Sequence, residues 1–268
     1  MEMQKTKSAL APTDNDDRVY HLRLRSGDIP GYVLIPGDPA RTFKIAQNLE
    51  DSQELAYNRE YRTIKGSYKG VEIAATSTGI GCQSAEIVIN ELYKVGAHTC
   101  IRVGTAGSID PNLDLGDLII PSVCMRKGGT SMCYVEPEFP AFADVMVVKA
   151  LMTACENLGF RYTLGINYTT SSFYLGQGRP LNEDGSGYWP SWASKIIPDL
   201  QAARISSIDM DTAGQYIVGF LHGLRMGAIL SVNANRITDR WGDNGGEEKA
   251  CLVACEAMKI LAEWDEKK

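Results

Sequence analysis

Three apolar runs in the first 110 residues each end in glycine, and this repeated ending constrains the chain more than any other feature. Gly31–Pro36 (GYVLIP) reads as a strand and runs into Gly37-Asp38-Pro39. Pro39, favoured at a first helical position, opens a helix to about Gln47. Val71–Ser77 is a second strand, closed by Thr78-Gly79-Ile80-Gly81, and Ser84–Lys94 follows with apolar residues at helical spacing: Ala85, Val88, Ile89 and Leu92. Cys100–Val103 is a third strand, ending at Gly104. Strand, glycine turn, helix, strand is the signature of an α/β sheet, because each helix must return the chain across the sheet before the next strand can pair.

The order continues. Asp117–Pro121 reads as strand, Ala141–Leu158 as an amphipathic helix and Gly165–Ser171 as strand. Ile208 precedes a helix to about Gly223, Ala228–Asn233 is strand, and Glu247–Trp264 is a closing helix. Pro180–Leu200, rich in Gly, Pro, Ser and Trp, reads as a long loop or lid. With no internal repeat and no linker, one domain over residues 19–268 is expected, preceded by a disordered tail at 1–18 that lacks the apolar stretch of a signal peptide.

Composition narrows the function classes. The formal net charge is −6, and no basic run carries interleaved aromatics, so nucleic acid is excluded as a partner. Any anion site must then be a local cluster of Arg and backbone N–H groups. No apolar run approaches the roughly 20 residues of a membrane span. The seven cysteines include no C-x-x-C pair, which argues against a zinc ribbon and fits reduced thiols in a cytoplasmic protein. Cys82, just after a glycine turn, reads as a small buried hydrophobe rather than a nucleophile.

In an open α/β sheet, ligands gather beyond the carboxyl ends of the strands. Three segments fall there: Gly37–Arg41, Thr78–Gly81 and Arg102–Ser108. Glycine lets backbone N–H groups approach an anion, and arginine adds charge-assisted forks. No Walker pattern is present, and Gly79-Ile80-Gly81 fails as a dinucleotide fingerprint because its third position is Ser84.

Eight segments in register give the chain a recognisable likeness: GDPAR (37–41), NREYRT (58–63), STGIG (77–81), RVGTAGSI (102–109), GDLIIP (116–121), EFPAFAD (138–144), SSFYLGQGR (171–179) and NRIT (235–238). From about His21 to its end the chain resembles the hexameric nucleoside phosphorylase family, and within it the uridine phosphorylases. The resemblance implies a mixed, twisted central sheet, partly closed into a barrel and flanked by helices. It implies that Gly37, Arg41, Arg102 and Thr105 bind inorganic phosphate as co-substrate, with Arg59 completing the site of a neighbouring subunit. Gln177 and Arg179 would read the uracil edge, where Gln offers both donors and an acceptor and Arg stabilises the departing base. Phe173 would stack on the base and Arg236 back up its carbonyl. Met210 and Asp211 would fix the ribose, with His21 reaching its 5′-hydroxyl from the adjacent subunit. Glu60, Ile80 and Ser84 match positions of a structural potassium site at a dimer interface; no other cofactor is implied. Arg59 and His21 acting in trans imply a homodimer with shared sites, within a homohexamer.

Four features bear on substrate. The family's Glu-Met-Glu segment reads Asp209-Met210-Asp211 here, one methylene shorter at each acid; Asp209 also suits a helix N-cap. Gly178 stands where an acidic residue is common, and Ala106 replaces a hydroxyl residue. Asn233 stands where a purine-cleaving relative carries an Asp, and Asn is no general acid. The expectation is uridine phosphorolysis. The alternatives are a purine nucleoside phosphorylase, a nucleosidase using water, and a nucleoside-binding member with impaired catalysis.

Overall fold

The computed structural model describes residues 8–267. The start of the expected tail lies outside the described residues; from Thr13 onward the chain is anchored. Thr13 bridges Val19, and the buried Asp14 accepts from the backbone N–H of Asp16 and Arg18 and from the side chains of Arg18 and Arg23.

β1 (Tyr32–Pro36) leads into α1 (Pro39–Ala46), whose N-cap Asp38 accepts from the Ala40 N–H. A hairpin follows, β2 (Glu50–Asn58) and β3 (Tyr61–Tyr68), then β4 (Val71–Thr76), α2 (Cys82–Val95) and β5 (Thr99–Ser108). Next come β6 (Leu118–Lys127), the short α3 (Gly129–Met132), β7 (Ala141–Phe142), α4 (Val145–Leu158) and β8 (Tyr162–Thr170). The chain closes with α5 (Ile196–Ala202), β9 (Ser207–Asp209), α6 (Thr212–Leu221), β10 (Arg225–Asn235), β11 (Arg240–Trp241) and α7 (Gly246–Asp265).

All the strands join one mixed sheet in the order β11-β10-β6-β8-β9-β5-β1-β4-β3-β2, with β7 on β6. Because β10 also pairs with β5 in parallel, the strands β10, β6, β8, β9 and β5 close into a ring. The fold is therefore α/β with a partly barrel-like sheet, as expected. Alternation along β5 divides the core: Cys100 and Ala106 pack with α2 and α6 residues such as Val88, Leu92, Ala213 and Ile217, while Ile101 and Val103 pack with α1, α4 and α7. Arg102 and Gly104 share the parity of Cys100, which sends Arg102 to the α2/α6 side of the sheet, where the ligand cavity opens.

Four expectations are corrected, and one hairpin was not anticipated. The strand expected to end at Gly104 runs on through Gly107 to Ser108, paired with β10 along that stretch. The helix expected over 141–158 starts only at Val145, because Asp144 accepts from the Met146 and Val147 N–H groups while Ala141–Phe142 pairs with β6. The strand expected to end at Pro121 continues to Lys127 through a register shift between Pro121 and Val123, a bulge that accommodates proline's missing donor. The 180–200 segment is not all loop: Ala193–Lys195 forms a 3-10 turn and α5 buries Leu200 against Ile109, Tyr168, Ile205 and Ile208. The β2–β3 hairpin went unread, because β2 (EDSQELAYN) has no apolar alternation and its first residues are exposed.

Candidate active site

A cavity of about 510 Å³ opens where the carboxyl ends of β1, β4 and β5 meet β9, β10 and the segment after β8. Gly37, Arg41, Arg102, Thr105, Phe173, Gln177, Arg179, Met210, Asp211, Glu60 and Ile80, all expected site residues, line it. They come from six separate stretches of chain, brought together by the strand order.

Arg102 is the electrostatic centre. It is 4% exposed, and its Nη2 meets Asp211 Oδ2 at 2.9 Å and Asp209 Oδ2 at 3.2 Å. Its Nε and Nη1 have no hydrogen-bond partner among the described residues. Burial alone would favour loss of the proton, but the two carboxylates push the Arg102 pKa up, so it remains a cation. A buried guanidinium with open donors on a cavity wall is costly unless an acceptor completes it. The backbone makes room for this arrangement at Gly104: a Cβ there would lie 2.8 Å from Arg102 Cζ.

The two aspartates divide the labour. Asp209 is saturated by the protein. Its Oδ1 accepts from Asn167 Nδ2 and Thr169 Oγ1, each at 2.7 Å, and its Oδ2 accepts from the Thr212 N–H at 3.1 Å, which caps α6. The N-cap position of α6 is Asp211, and Asp209 is the last residue of β9, so the N-cap reading of Asp209 is corrected by two residues; its carboxylate still accepts from the first N–H of the helix. Asp211 Oδ1 accepts from the Gly81 N–H at 2.7 Å and its Oδ2 faces Arg102. Burial and the neighbouring Asp209 push the Asp211 carboxyl up, against Arg102. Cys82, beneath the same turn, donates weakly to the Met210 carbonyl; burial and the two aspartates push its thiol up to about 12, so it is no nucleophile.

Arg41 reaches the cavity from α1. Its Nη2 and Nε donate to the two carboxylate oxygens of Glu247 at 2.8 and 3.3 Å, and its Nη1 donates to the Val103 carbonyl at 3.3 Å. Across the cavity, the Arg179 guanidinium stacks 4.0 Å above the Phe173 ring and donates to Gln177 Oε1 and the Phe173 carbonyl. Burial and nearby Arg236 lower the Arg179 pKa to about 10, leaving it charged near neutrality. Phe173 is 39% exposed, which rejects simple core packing.

The remaining expected residues sit elsewhere. Arg236 does not line the cavity; it donates to the backbone carbonyls of Gln177 and Gly178 and so holds that segment from behind. Arg59, exposed and left-handed at φ +57°, occupies the β2–β3 turn beside Glu60. His21 is anchored by Glu91, whose carboxylate lies 2.7 Å from Nδ1 and also accepts from the His21 and Leu22 backbone. Ser84 stands behind Glu60, its Oγ 3.0 Å from Oε1. Sequence reasoning missed Trp241 and Glu247. Trp241 gave a signal, a lone Trp after NRIT, whereas Glu247 gave none.

The family model described as Phosphorylase superfamily matches residues 32–262. The chain belongs to this superfamily. A uridine phosphorylase of Thermococcus kodakarensis is 49% identical over 99% of the chain and 95% of that relative. Among solved structures, a uridine phosphorylase of Vibrio fischeri superposes with a TM-score of 0.80 at 29% identity, over 91% of this chain and 97% of that one. A purine nucleoside phosphorylase of Toxoplasma gondii, in complex with immucillin-H, superposes with a TM-score of 0.82 at 30% identity, over 94% and 100%. Superfamily membership and fold agree with the sequence reading. No helix among the described residues is long and apolar enough to cross a membrane.

Proposed function

We propose that the protein catalyses reversible phosphorolysis of uridine to uracil and ribose 1-phosphate. The observation that carries this reading is Arg102, a buried guanidinium with two open donors on the wall of a nucleoside-sized cavity. Arg41, Thr105 and the Gly37 turn line the same cavity, as does a stacked Phe173–Arg179 pair with Gln177. The likeness to uridine phosphorylase at 49% identity supports the choice of base.

In this mechanism a phosphate oxygen attacks C1′ from the face opposite the base. The C1′–N1 bond breaks, its electron pair leaves with uracil, and the sugar passes through oxocarbenium character. The proton of the attacking hydrogen phosphate ends on uracil. Arg41 and Arg102 position the nucleophile. Arg179 and the amide of Gln177 stabilise the anion of the leaving base. Met210 and Asp211 hold the ribose. Arg59 and His21, outside their own chain's cavity, serve the site of a neighbouring copy in a homodimer within a hexamer. The oxygens of Glu60 and Ser84, with the Ile80 backbone, form a hard donor set suited to a structural potassium ion at that junction; no redox cofactor is needed.

A second reading, purine phosphorolysis, turns on one residue, whose amide cannot act as a general acid. Asn233 lines the cavity with an Oδ1 that has no partner among the described residues, at the position where a carboxyl would serve a purine. Uracil release from uridine, with and without phosphate, with inosine and deoxyuridine alongside, tests both. Phosphate-dependent release from uridine is expected. Release without phosphate indicates a nucleosidase, inosine cleavage alone a purine enzyme, and uridine binding without turnover a binding protein; each overturns the proposal.

A further inference from the structure

Resting on the phosphorolysis reading, we infer that Glu247, at the start of α7, is a positioning residue that holds Arg41 in the orientation that accepts phosphate. Glu247 does not line the cavity. Its side chain is 16% exposed and that of Arg41 is 8% exposed, so their fork lies within the packing between α1 and α7. The geometry is bidentate on the Nε/Nη2 edge, and Val103 takes one Nη1 hydrogen. A guanidinium has five N–H groups. Three are engaged, and the two left both belong to the Nη1/Nη2 end, the edge suited to an oxyanion fork. Glu247 thereby selects which edge of Arg41 remains open.

The carboxylate is itself held. Its Oε2 accepts from Lys44 at 3.0 Å, and Lys44 also reaches Glu248. The Glu247 backbone N–H donates to Asp243 Oδ1, fixing the first turn of α7. The positive end of that helix favours a carboxylate there. Burial would raise the Glu247 carboxyl, but Arg41 and Lys44 bring it down to about 2, so the anion persists at any working pH.

Two physical effects of removing Glu247 have opposite signs. Charge alone makes Arg41 a stronger attractor of anions, so phosphate would bind more tightly. Loss of orientation lets a long side chain rotate beside an open cavity, so phosphate would bind more weakly. The inference commits to the second, because a catalytic group misplaced by about an Ångström costs on the order of a hundredfold in rate, and a partial misplacement about tenfold.

The test is calorimetric titration of inorganic phosphate into the free enzyme, with phosphate and uridine KM measured in parallel. Glu247→Ala is expected to weaken phosphate about tenfold while uridine KM moves less than about twofold. Glu247→Gln, which keeps one acceptor and the side-chain volume, is expected to recover part of the loss and carries the test if the alanine variant does not fold. Glu248→Gln, at an exposed acid that touches neither Arg41 nor the cavity, is expected within about twofold of wild type. Wild-type or tighter phosphate binding in both Glu247 variants overturns the inference while leaving phosphorolysis standing. No phosphate binding to the wild-type enzyme overturns both.

Discussion

Gly104→Ala offers a test of the site that rests on distance alone. Gly104 has no positive φ, so the backbone accepts alanine without strain, and the whole effect comes from the added methyl. That methyl would sit 2.8 Å from Arg102 Cζ, 2.9 Å from its Nε and 2.8 Å from Leu230 Cδ2. Carbon atoms in ordinary contact lie about 3.5 Å apart, so the guanidinium must withdraw by about 0.7 Å. Leu230 is fully buried in the core and yields little. Overpacking of this kind costs about 1–3 kcal/mol, or roughly 2–10 °C in Tm for a chain of this size. The functional cost falls on phosphate. A displacement approaching an Ångström in a group that orients the nucleophile lowers kcat/KM for phosphate by about tenfold to a hundredfold. Steady-state kinetics with each substrate varied in turn, beside a thermal melt, measures both parts. A variant with lowered Tm but wild-type kcat/KM for phosphate would show that Arg102 does not position the nucleophile.

Three further outcomes are expected. Asp209→Asn removes the carboxylate that joins Arg102, Asn167, Thr169 and the α6 cap, and breaking a buried pair of this kind costs about 3–5 kcal/mol, read as a fall in urea midpoint. Glu247 has a folded pKa lowered from 4.5 to about 2, so its stabilisation is full above pH 4.5 and is lost as pH falls toward 2; the gap between wild type and Glu247→Gln, on the order of 2 kcal/mol at pH 7 once solvent screening is allowed for, should narrow at pH 3. Asn233→Asp should raise inosine cleavage at least about tenfold, since a placed general acid is worth about a hundredfold or more, and unchanged inosine turnover would remove the purine reading from this pocket.

How much of the fold could be read in advance depended on whether burial and periodicity coincide. β1 and β4 were legible because each is apolar and stops before a glycine turn, whereas β5 was legible only to Val103 because it runs on through Gly104 and Gly107 to Ser108. β6, β8 and β10 were seen short because they continue past their apolar stretches as staves of the closed ring. On β8 the buried residues Asn167, Thr169 and Thr170 are polar, and two of them serve Asp209. These residues still read as strand, within Gly165–Ser171; what went unread on β8 was its start, Tyr162 to Leu164, whose backbone is paired with β6. β2 was illegible for the opposite reason: it is held through its backbone pairing with β3 and needs no apolar face.

The site was legible where a short motif fixes a residue to a strand end, as in GDPAR and RVGTAG. It was not legible where a partner arrives from far along the chain. Arg41 and Glu247 are joined only because α1 and α7 lie on one face of the sheet, and nothing around Glu247 in the sequence marks it. The same gap hid the charge balance. Arg102 faces Asp209 and Asp211, and Arg41 faces a Glu247 shared with Lys44, so the cations are largely answered before any phosphate arrives. A dianion entering such a site needs a further cation, and Arg59, exposed at the β2–β3 turn, is the residue proposed to come from a neighbouring copy. Subunit mixing makes that testable. Arg59→Ala and Gln177→Ala should each be nearly inactive alone. If Arg59 acts in trans, half the dimers formed at random are mixed, and one of the two sites in each carries neither defect, so about a quarter of all sites recover. If Arg59 acts within its own chain, every site in a mixed dimer keeps one defect and no activity returns.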